Sequence, residues 1–549
     1  MCGIFGILLS SFNNVSKDSF EKSFELGKKR GPEYSKLSIL SDHVIFGFHR
    51  LAINGLDEGS HQPFSSDGVH VICNGEIYNY KNLAKQFNFE LKTNSDCEVI
   101  LHLYKLMGTK LFVFLDGVFC ISIYDENKNK VILGRDPYGV RPLYVARYKN
   151  HNIGFCSDIE PLQFDSDIVS LQPFSPGIFQ EFVFLNGAYL SERHERYFNC
   201  DSLVHPTPSS HKPKPIHYFM INLLRKLQKG IEKRVENCQR DLVCLLSGGL
   251  DSSIITAYAN RYYKKKFGKN VCTFNIGMKN ATDMYYADLV SKHVGTQHTC
   301  VMKTEDDMIN AIPDVIQDIE TYDTTTVRAS VGNWLIGQYI KENTEAKVVF
   351  NGDGADELMG GYLYFHHAPN NESFHDECVR LLKNISNFDV LRSDKSIASH
   401  GLEPRTPFLD KEFTQYYLSI PIEYRNHASK NQCEKYLIRK AIEIYDPTLL
   451  PQEVLWRKKE AFSDGVSSVQ RSWYEIIQEK CNISKDLNNN ISSALNLKPN
   501  TNEQHHYFNI FCKNFHESCY NIRPYYWMPR FIEATDSSAR TLDVYKNDA

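Results

Sequence analysis

The sequence predicts two units of different class: two layers of sheet with flanking helices up to about residue 195, then a parallel α/β sheet. Three observations carry this reading. Short alternating or apolar runs separated by turn signals fill the first part of the chain. A proline-rich stretch, Asp201-Ser-Leu-Val-His-Pro-Thr-Pro-Ser-Ser-His-Lys-Pro-Lys-Pro215, follows and suits neither a helix nor a central strand. Beyond it, apolar strands alternate with helical patterns, the signature of a parallel sheet.

In chain order, Cys2-Gly-Ile-Phe-Gly-Ile-Leu-Leu reads as a short strand that begins with a thiol. Removal of the initiator Met would leave Cys2 with both a nucleophile and a free α-amine. An ordinary α-amine, with a pKa of about 7.7–8.0, can take the thiol proton at neutral pH. A small apolar residue on a buried strand is the alternative for Cys2. Helical patterns cover Ser16–Lys29 and Asp96–Met107, and strands are expected at His43–Phe48, Val69–Cys73, Val118–Tyr124, Lys130–Leu133 and Gly177–Phe184. After the linker, Met220, Leu224, Leu227, Ile231 and Val235 recur at helical spacing, a core-facing stripe with cations on the other faces. Then come a strand at Leu242–Leu246, a helix at Ser252–Tyr262, and strands at Val271–Ile276 and Lys347–Phe350. Residues 484–506, rich in Asn, Ser and Lys, read as a mobile surface loop; Arg523-Pro-Tyr-Tyr-Trp-Met-Pro-Arg530 is aromatic enough to dock on a domain. The segments are therefore 2–195, a linker at 196–215, and 216–549.

Composition narrows the function. At 549 residues the chain exceeds a single core, and 42% hydrophobic with 23% charged residues is ordinary for a soluble globular protein. A net charge of −4 supplies no basic field for nucleic acid. Leu111–Tyr124, the nearest approach to a membrane span, is broken by Asp116, and the apolar Ile4–Leu9 run has no cationic leader. Fifteen cysteines without Cys-x-x-Cys pairs fit reduced thiols in a cytoplasmic protein.

The strongest chemical signal is Ser247-Gly-Gly-Leu-Asp251-Ser252-Ser253, which follows an apolar strand and opens a helix. Two glycines let the backbone turn, and its N–H groups and hydroxyls suit phosphate oxygens. Asp251 would repel phosphate unless Mg²⁺ lay between, so its presence argues for a metal–pyrophosphate site. The Walker lysine is absent, which disfavours γ-phosphoryl transfer. A second acidic turn, Asn351-Gly352-Asp353-Gly354-Ala355-Asp356-Glu357, follows the strand Val348-Val-Phe. Its carboxylates would meet the first loop in the crevice beyond the strand ends, where open α/β sheets bind ligands. A plain acidic turn is the alternative. Arg328 and Lys459 could neutralise a leaving pyrophosphate, or be surface cations.

With these residues in hand, the chain resembles the glutamine-hydrolysing asparagine synthetases over nearly its whole length. The N-terminal part is similar to class II glutamine amidotransferases of the N-terminal nucleophile hydrolase fold, an α+β αββα sandwich. The matching stretches are Met-Cys2-Gly-Ile-Phe-Gly, Arg30-Gly-Pro, His49-Arg50-Leu51-Ala-Ile53, Asn74-Gly75-Glu76-Ile-Tyr-Asn79 and Ser95-Asp96-Cys-Glu. The C-terminal part resembles the ATP-pyrophosphatase (adenine nucleotide α-hydrolase-like) fold, a doubly wound parallel sheet. The SGGLDSS loop is shared with other AMP-forming enzymes. Glu320-Thr-Tyr-Asp-Thr-Thr-Thr-Val-Arg-Ala-Ser, Gly361-Tyr-Leu-Tyr-Phe-His, Arg405-Thr-Pro-Phe-Leu-Asp410 and Lys459-Glu-Ala-Phe-Ser-Asp-Gly465 look like asparagine synthetase specifically.

The resemblance implies roles. Cys2 would attack the glutamine amide, with Asn74 and Gly75 as oxyanion hole. Arg50 would clamp the α-carboxylate in a site that includes Leu51 and Ile53, while Glu76 and Asp96 hold the ammonium. Freed ammonia would cross an internal tunnel. ATP would lie against Leu246, Ser247, Gly248, Gly249, Asp251, Ser252, Ser253, Ile276, Asn351 and Gly352, with Mg²⁺ on Asp251 and Asp356. Aspartate would become β-aspartyl-AMP beside Thr325, Thr326, Asp353 and Asp356. Lys459, Thr325, Thr326 and Arg328 would balance developing charge, with Lys435 a weaker candidate. A homodimer through the glutaminase half is implied by resemblance alone.

The chain departs from the family's usual Ser-Gly-Glu-Gly-Ser-Asp-Glu loop: Asn351 replaces the first Ser, Asp353 the Glu and Ala355 the second Ser. Asp353 is one methylene shorter, which implies that the intermediate is bound differently and that Asp353→Glu leaves or improves synthesis. Lys29 and Glu33 replace a common His and Asp. Two further readings stay open: amidation of a different carboxylate, and a synthetase-like scaffold retaining only glutaminase activity.

Overall fold

The computed structural model describes residues 1–11, 16–200, 214–460, 462–468, 471–481, 495–534 and 536–538. Residues 201–213 of the expected linker and residues 484–494 of the expected loop lie outside them.

The N-terminal strands are β1 (Gly3–Leu8), β2 (Tyr34–Ser41), β3 (Val44–Arg50), β4 (Phe64–Ser66), β5 (Val69–Ile77), β6 (Gly117–Asp125), β7 (Lys130–Arg135), β8 (Tyr144–Tyr148), β9 (Ile153–Cys156), β10 (Ile168–Pro173), β11 (Ile178–Leu185) and β12 (Ala188–Arg196). Among the described residues they form two six-stranded sheets, ordered β10-β8-β9-β1-β3-β2 and β12-β11-β7-β6-β5-β4. Alternation decides what each face meets. Ile4 and Leu8 of β1 pack inward with Ile72, Tyr124, Val131 and Leu133 of the other sheet. Phe5 and Ile7 point the opposite way, onto Phe20 and Phe24 of the helix Lys17–Leu26. On the far side Val71, Cys73 and Ile77 meet Val99, Ile100 and Leu103 of the helix Val99–Met107. Helix, sheet, sheet, helix is the αββα sandwich expected.

The second unit holds β13 (Leu242–Leu245), β14 (Cys272–Gly277), β15 (Gln297–Met302), β16 (Val348–Phe350) and β17 (Glu403–Arg405). All are parallel, in the order β15-β14-β13-β16-β17. The order reverses between β13 and β16, so the ends of these two strands open a crevice. Helices Ile216–Glu236 and Leu250–Phe267 cover one face; Glu305–Ile319 and Thr324–Asn343 cover the other. The helix expected at Ser252–Tyr262 runs five residues further, to Phe267, and stops at Gly268, which adopts φ +72°.

One expectation needs correction. Residues 502–506 are not loop: Asn502–Asn514 is a helix, opened by a capping box between Thr501 and Gln504. The aromatic C-terminal stretch does dock, with Trp527 packed among Tyr364, Phe365 and Phe388 and its N–H donating to Asp323 at 2.9 Å.

The two units meet through buried charge. Asp394 accepts from Arg30 at 2.6 Å and from Arg141 at 3.2 Å; Lys395 pairs with Asp158 at 3.0 Å and with Glu320. Removing one partner would strand a charge away from water, so this seam depends on every member. Lys29 and Glu33 lie at its solvent-exposed rim, where Lys29 pairs with Asp318 at 2.8 Å and Glu33 with Arg240 at 2.5 Å. No helix among the described residues is long and apolar enough to cross a membrane.

Two candidate active sites

Cys2 opens β1. Its thiol donates to the Leu51 carbonyl at 3.5 Å, and its own carbonyl accepts from Arg30 Nε at 3.0 Å. Burial pushes the thiol up to about 11, against the opposing effects of the neighbouring amine and that hydrogen bond. In the full chain the amine belongs to Met1. It is 1% exposed, donates to Leu402 O at 3.0 Å, and burial lowers it to about 5. A base on Cys2 itself therefore requires the chain to have lost Met1.

Arg50, at the end of β3, reaches over the next loop, donating to Asp57 O at 3.0 Å, Asn54 O at 3.4 Å and Gly55 O. Among the described residues it has no carboxylate ion-pair partner, so a buried cation faces the thiol's neighbourhood without a counter-charge. A ligand carboxylate fits that vacancy of charge. Leu51 and Ile53 are buried beside it, in the core shared with Tyr138 and Val140. Asn74 Nδ2 donates to Ser157 Oγ at 3.3 Å, which also receives the Ile4 N–H at 3.1 Å, tying Asn74 to β1; its Oδ1 is buried without a partner among the described residues. Gly75 lies opposite Phe119 on β6, where a Cβ would come within 2.2 Å of Val118 O.

Asp96 accepts from Ile77 N at 2.6 Å, and burial pushes it up to about 6. Burial and Asp96 together raise Glu76 above the ordinary range, so the two carboxylates are neighbours. Glu76 is not reserved for a ligand, however. It accepts from Asn54 at 2.7 Å and Asn237 at 3.0 Å and pairs with Arg405 at 3.2 Å, placing it on the seam between the units. The motif alone carries no sign of Arg405.

The second site lies in the crevice between β13 and β16. Leu246, Ser247, Gly249, Asp251, Ser252, Ile276, Asn351 and Gly352 line one cavity, as expected, together with Thr325, Asp353 and Asp356. Gly248, at φ +75°, lies against Tyr286 and Ala287, where a Cβ would come within 2.4 Å of backbone. The two loops touch: a Cβ on Gly352 would lie 2.9 Å from Asp251 Cβ and from Ser252 N. Ser252 Oγ and Ser247 Oγ are 3.0 Å apart at the mouth of the turn.

Lys435 Nζ lies 2.5 Å from Asp251 Oδ2 and 2.5 Å from Asp356 Oδ1, and Lys459 Nζ 2.5 Å from Asp356 Oδ2. Burial works against ionisation of Asp356, but the two ammonium groups outweigh it and hold the carboxyl well below the usual range. Burial likewise opposes the charge on Lys459, and Asp356 and Asp251 overcome it, so it titrates above an ordinary lysine. Lys435 is 3% exposed and adopts φ +57°, a left-handed conformation that costs a non-glycine residue about 1 kcal/mol or more. Nothing in Glu-Lys-Tyr-Leu marks this strained, charge-paired position, which sequence reasoning held only as a weaker candidate.

Three expected residues are placed differently. Ser253 Oγ donates back to Gly249 O at 2.7 Å inside its own helix and does not line the cavity. Thr326 lies in the first turn of its helix, and its hydroxyl donates to the capping Asp323 at 2.7 Å. Thr325, by contrast, lines the cavity with a buried hydroxyl that has no partner among the described residues. Arg328 is not aimed at the phosphate loop. Its guanidinium forks onto Glu503 (2.8 and 2.5 Å) and Asp536 (2.7 and 2.8 Å), so two carboxylates already balance it. Those partners lie in the C-terminal region, beyond any local signal around residue 328.

A magnesium ion suits the chemistry of this donor set. Asp251 Oδ1 is buried without a hydrogen-bond partner among the described residues, and Mg²⁺ is commonly held by one or two carboxylates with phosphates and waters completing its shell.

Two family models match the chain: a glutamine amidotransferase domain over residues 1–183, and asparagine synthase over 222–375 and 369–494. Among curated proteins, the chain is 40% identical over 542 residues to the glutamine-hydrolysing asparagine synthetase of Mus musculus, covering 95% of each chain. The Gallus gallus protein of the same name is 40% identical over 542 residues, covering 94% of this chain and 95% of its own. That of Homo sapiens is 39% identical over 537 residues, again covering 94% and 95%.

Proposed function

The chain belongs to the glutamine-hydrolysing asparagine synthetases, and on that footing we propose which of its residues carry each half of the reaction. The enzyme hydrolyses glutamine to ammonia, activates L-aspartate with ATP as β-aspartyl-AMP, and forms L-asparagine, AMP and pyrophosphate.

In the first site, Cys2 of the processed chain attacks the glutamine side-chain amide while its α-amine takes the thiol proton through water. The Asn74 amide and the Gly75 N–H stabilise the oxyanion, each donor contributing about 3 kcal/mol in the transition state. Arg50 holds the substrate α-carboxylate and Asp96 the ammonium, with Glu76, already paired with Arg405, as its neighbour. Supporting this is a buried Arg50 that has three carbonyl contacts and no counter-ion among the described residues.

In the second site, the aspartate β-carboxylate attacks the α-phosphorus of ATP, and the bond to pyrophosphate breaks. Lys435 and Lys459 balance the charge that moves onto the leaving group. Asp251 and Asp356 would hold Mg²⁺, which would supply divalent positive charge against the phosphates. The glycine turn at 247–249 and the Ser252 hydroxyl cradle the phosphates, and Thr325 offers its unpartnered hydroxyl. Ammonia then attacks the activated carbonyl and AMP leaves. Excluding water between the sites keeps ammonia unprotonated and nucleophilic. The observation that carries the reading is the meeting of two carboxylates and two ammonium groups where the sheet order reverses. All fifteen cysteines are free, which supports a reducing, cytoplasmic setting.

The test is direct. Purified protein receives ATP, magnesium and aspartate with either glutamine or ammonium, and asparagine, AMP and pyrophosphate are measured. Cys2→Ala abolishes only the glutamine-supported reaction. Absence of pyrophosphate release with both nitrogen donors overturns the proposal.

A further inference from the structure

The acidic loop contains a hydrogen-bonded ring that gives Asn351 a different task from touching the nucleotide. Asn351 Nδ2 donates to Asp353 Oδ2 at 2.8 Å and to Ser393 Oγ at 2.6 Å, and its Oδ1 accepts the Asp353 N–H at 3.3 Å. Only this orientation of the amide works, because a carboxylate can only accept and a main-chain N–H can only donate. Both amide protons and the carbonyl are thus engaged within the protein, and Asn351 is 4% exposed. The second oxygen of Asp353 accepts from Arg392 at 2.8 Å; Arg392 also donates to Asp389 at 2.9 Å and lines both the phosphate cavity and the adjoining one beside Thr325 and Trp527. Burial raises the Asp353 carboxyl above its ordinary range in spite of Arg392, so its ionised form depends on these donors.

We propose that Asn351 is a positioning residue for Asp353, and that the two form a matched pair: the amide spans the distance that the shorter acid leaves open and aims its carboxylate at the seam of the two cavities. This rests on the synthetase reading of the site. It reverses the expectation that a longer acid is harmless at position 353. A glutamate there carries its carboxylate about 1.5 Å further out, into the amide and guanidinium that already flank it. A serine at 351 loses the reach to Asp353 altogether. Either change alone breaks the ring, whereas both together exchange a long donor and short acid for a short donor and long acid.

A double-mutant cycle tests this in the full-length protein, with ammonium as nitrogen donor and pyrophosphate release as readout. Asn351→Ser and Asp353→Glu should each lower kcat by about tenfold or more with KM for ATP within about twofold. The double variant should exceed the product of the two single effects by about tenfold or more. Glutaminase activity reports folding in every variant. Should Asn351→Ser fail to fold, Ser393→Ala removes the other anchor of the amide and should lower kcat in the same sense. Additive losses, a neutral Asp353→Glu, or a rise in KM for ATP at unchanged kcat in Asn351→Ser would each overturn the inference, the last by making Asn351 a nucleotide contact. A wild-type protein that releases no pyrophosphate removes the synthetase reading itself, which separates the two failures.

Discussion

Asp251 and Asp356, on loops that follow different strands, share one ammonium: Lys435 Nζ lies 2.5 Å from a carboxylate oxygen of each. Two carboxylates this close cannot both stay ionised away from water without compensating charge. Lys435 and Lys459 supply it, and the arrangement sets the behaviour of the whole crevice.

Replacing Lys435 by Met leaves Lys459 alone against both acids. Aspartate- and ATP-dependent pyrophosphate release should fall by about 100-fold, because a preorganised cation is lost from the transition state. Glutaminase activity, measured as glutamate formation, should stay within about twofold since no contact joins Lys435 to Cys2. Equal loss of both activities would place Lys435 in the fold rather than in the reaction.

Arg50→Lys keeps the charge but loses the planar fork. KM for glutamine should rise by about tenfold or more, while ammonium-supported synthesis stays at the wild-type rate. An unchanged KM would show that the α-carboxylate is bound elsewhere.

Met1 is buried against Leu402 of the other unit, so an aminopeptidase cannot reach it once the units have closed. Folded protein that retains Met1 should resist trimming by added methionine aminopeptidase and lack glutaminase activity, while the urea-unfolded chain is trimmed. Mass spectrometry of the N-terminus reads both. Rapid trimming of the native protein would contradict the burial.

His427 is 1% exposed, with both ring nitrogens unpartnered among the described residues. Burial, then His366, Arg439 and Lys435, lowers its pKa from 6.5 to about 3. Its folded pKa lies below the unfolded one, so the unfolded chain binds the proton first as pH falls. Stability should therefore decline from about pH 6.5 downward and level off near pH 3 for this group. In urea unfolding, His427→Gln should show a shallower loss between pH 7 and 5 than wild type. A steeper one would place the titration elsewhere.

Gly352→Ala sets a Cβ 2.9 Å from Asp251 Cβ and the Ser252 N–H. The two phosphate-side loops must then separate, and ATP affinity, measured by calorimetry, should drop by about tenfold with glutaminase intact. Unaltered ATP affinity would mean that the crevice can absorb the methyl group.

Local pattern made much of this protein readable. Strand, Gly-Gly turn and helix at 242–267 follow from apolar runs and from residues that tolerate a sharp bend. Cys2 and the acidic turn at 351–357 suggest their chemistry by residue type and spacing, whereas the Asn74-Gly75-Glu76 stretch is marked only by the family resemblance. The helix at 502–514 was readable too, from Thr501 and Gln504 three residues apart, but its polar surroundings masked it. Side-chain commitments were not readable. Arg328 meets Glu503 and Asp536, Glu76 meets Arg405, and Lys435 meets two acids, all across long stretches of chain.

The residues by themselves pointed to the two chemistries, because a thiol, a glycine turn and a carboxylate restrict which reactions a site can perform, while their surroundings set the reactivity. Only the tertiary structure decided which charges are already balanced by protein and which are left for a ligand. That outcome depends on distances of a few ångströms between segments that nothing in the sequence brings together, in an interior where an unpaired charge is costly.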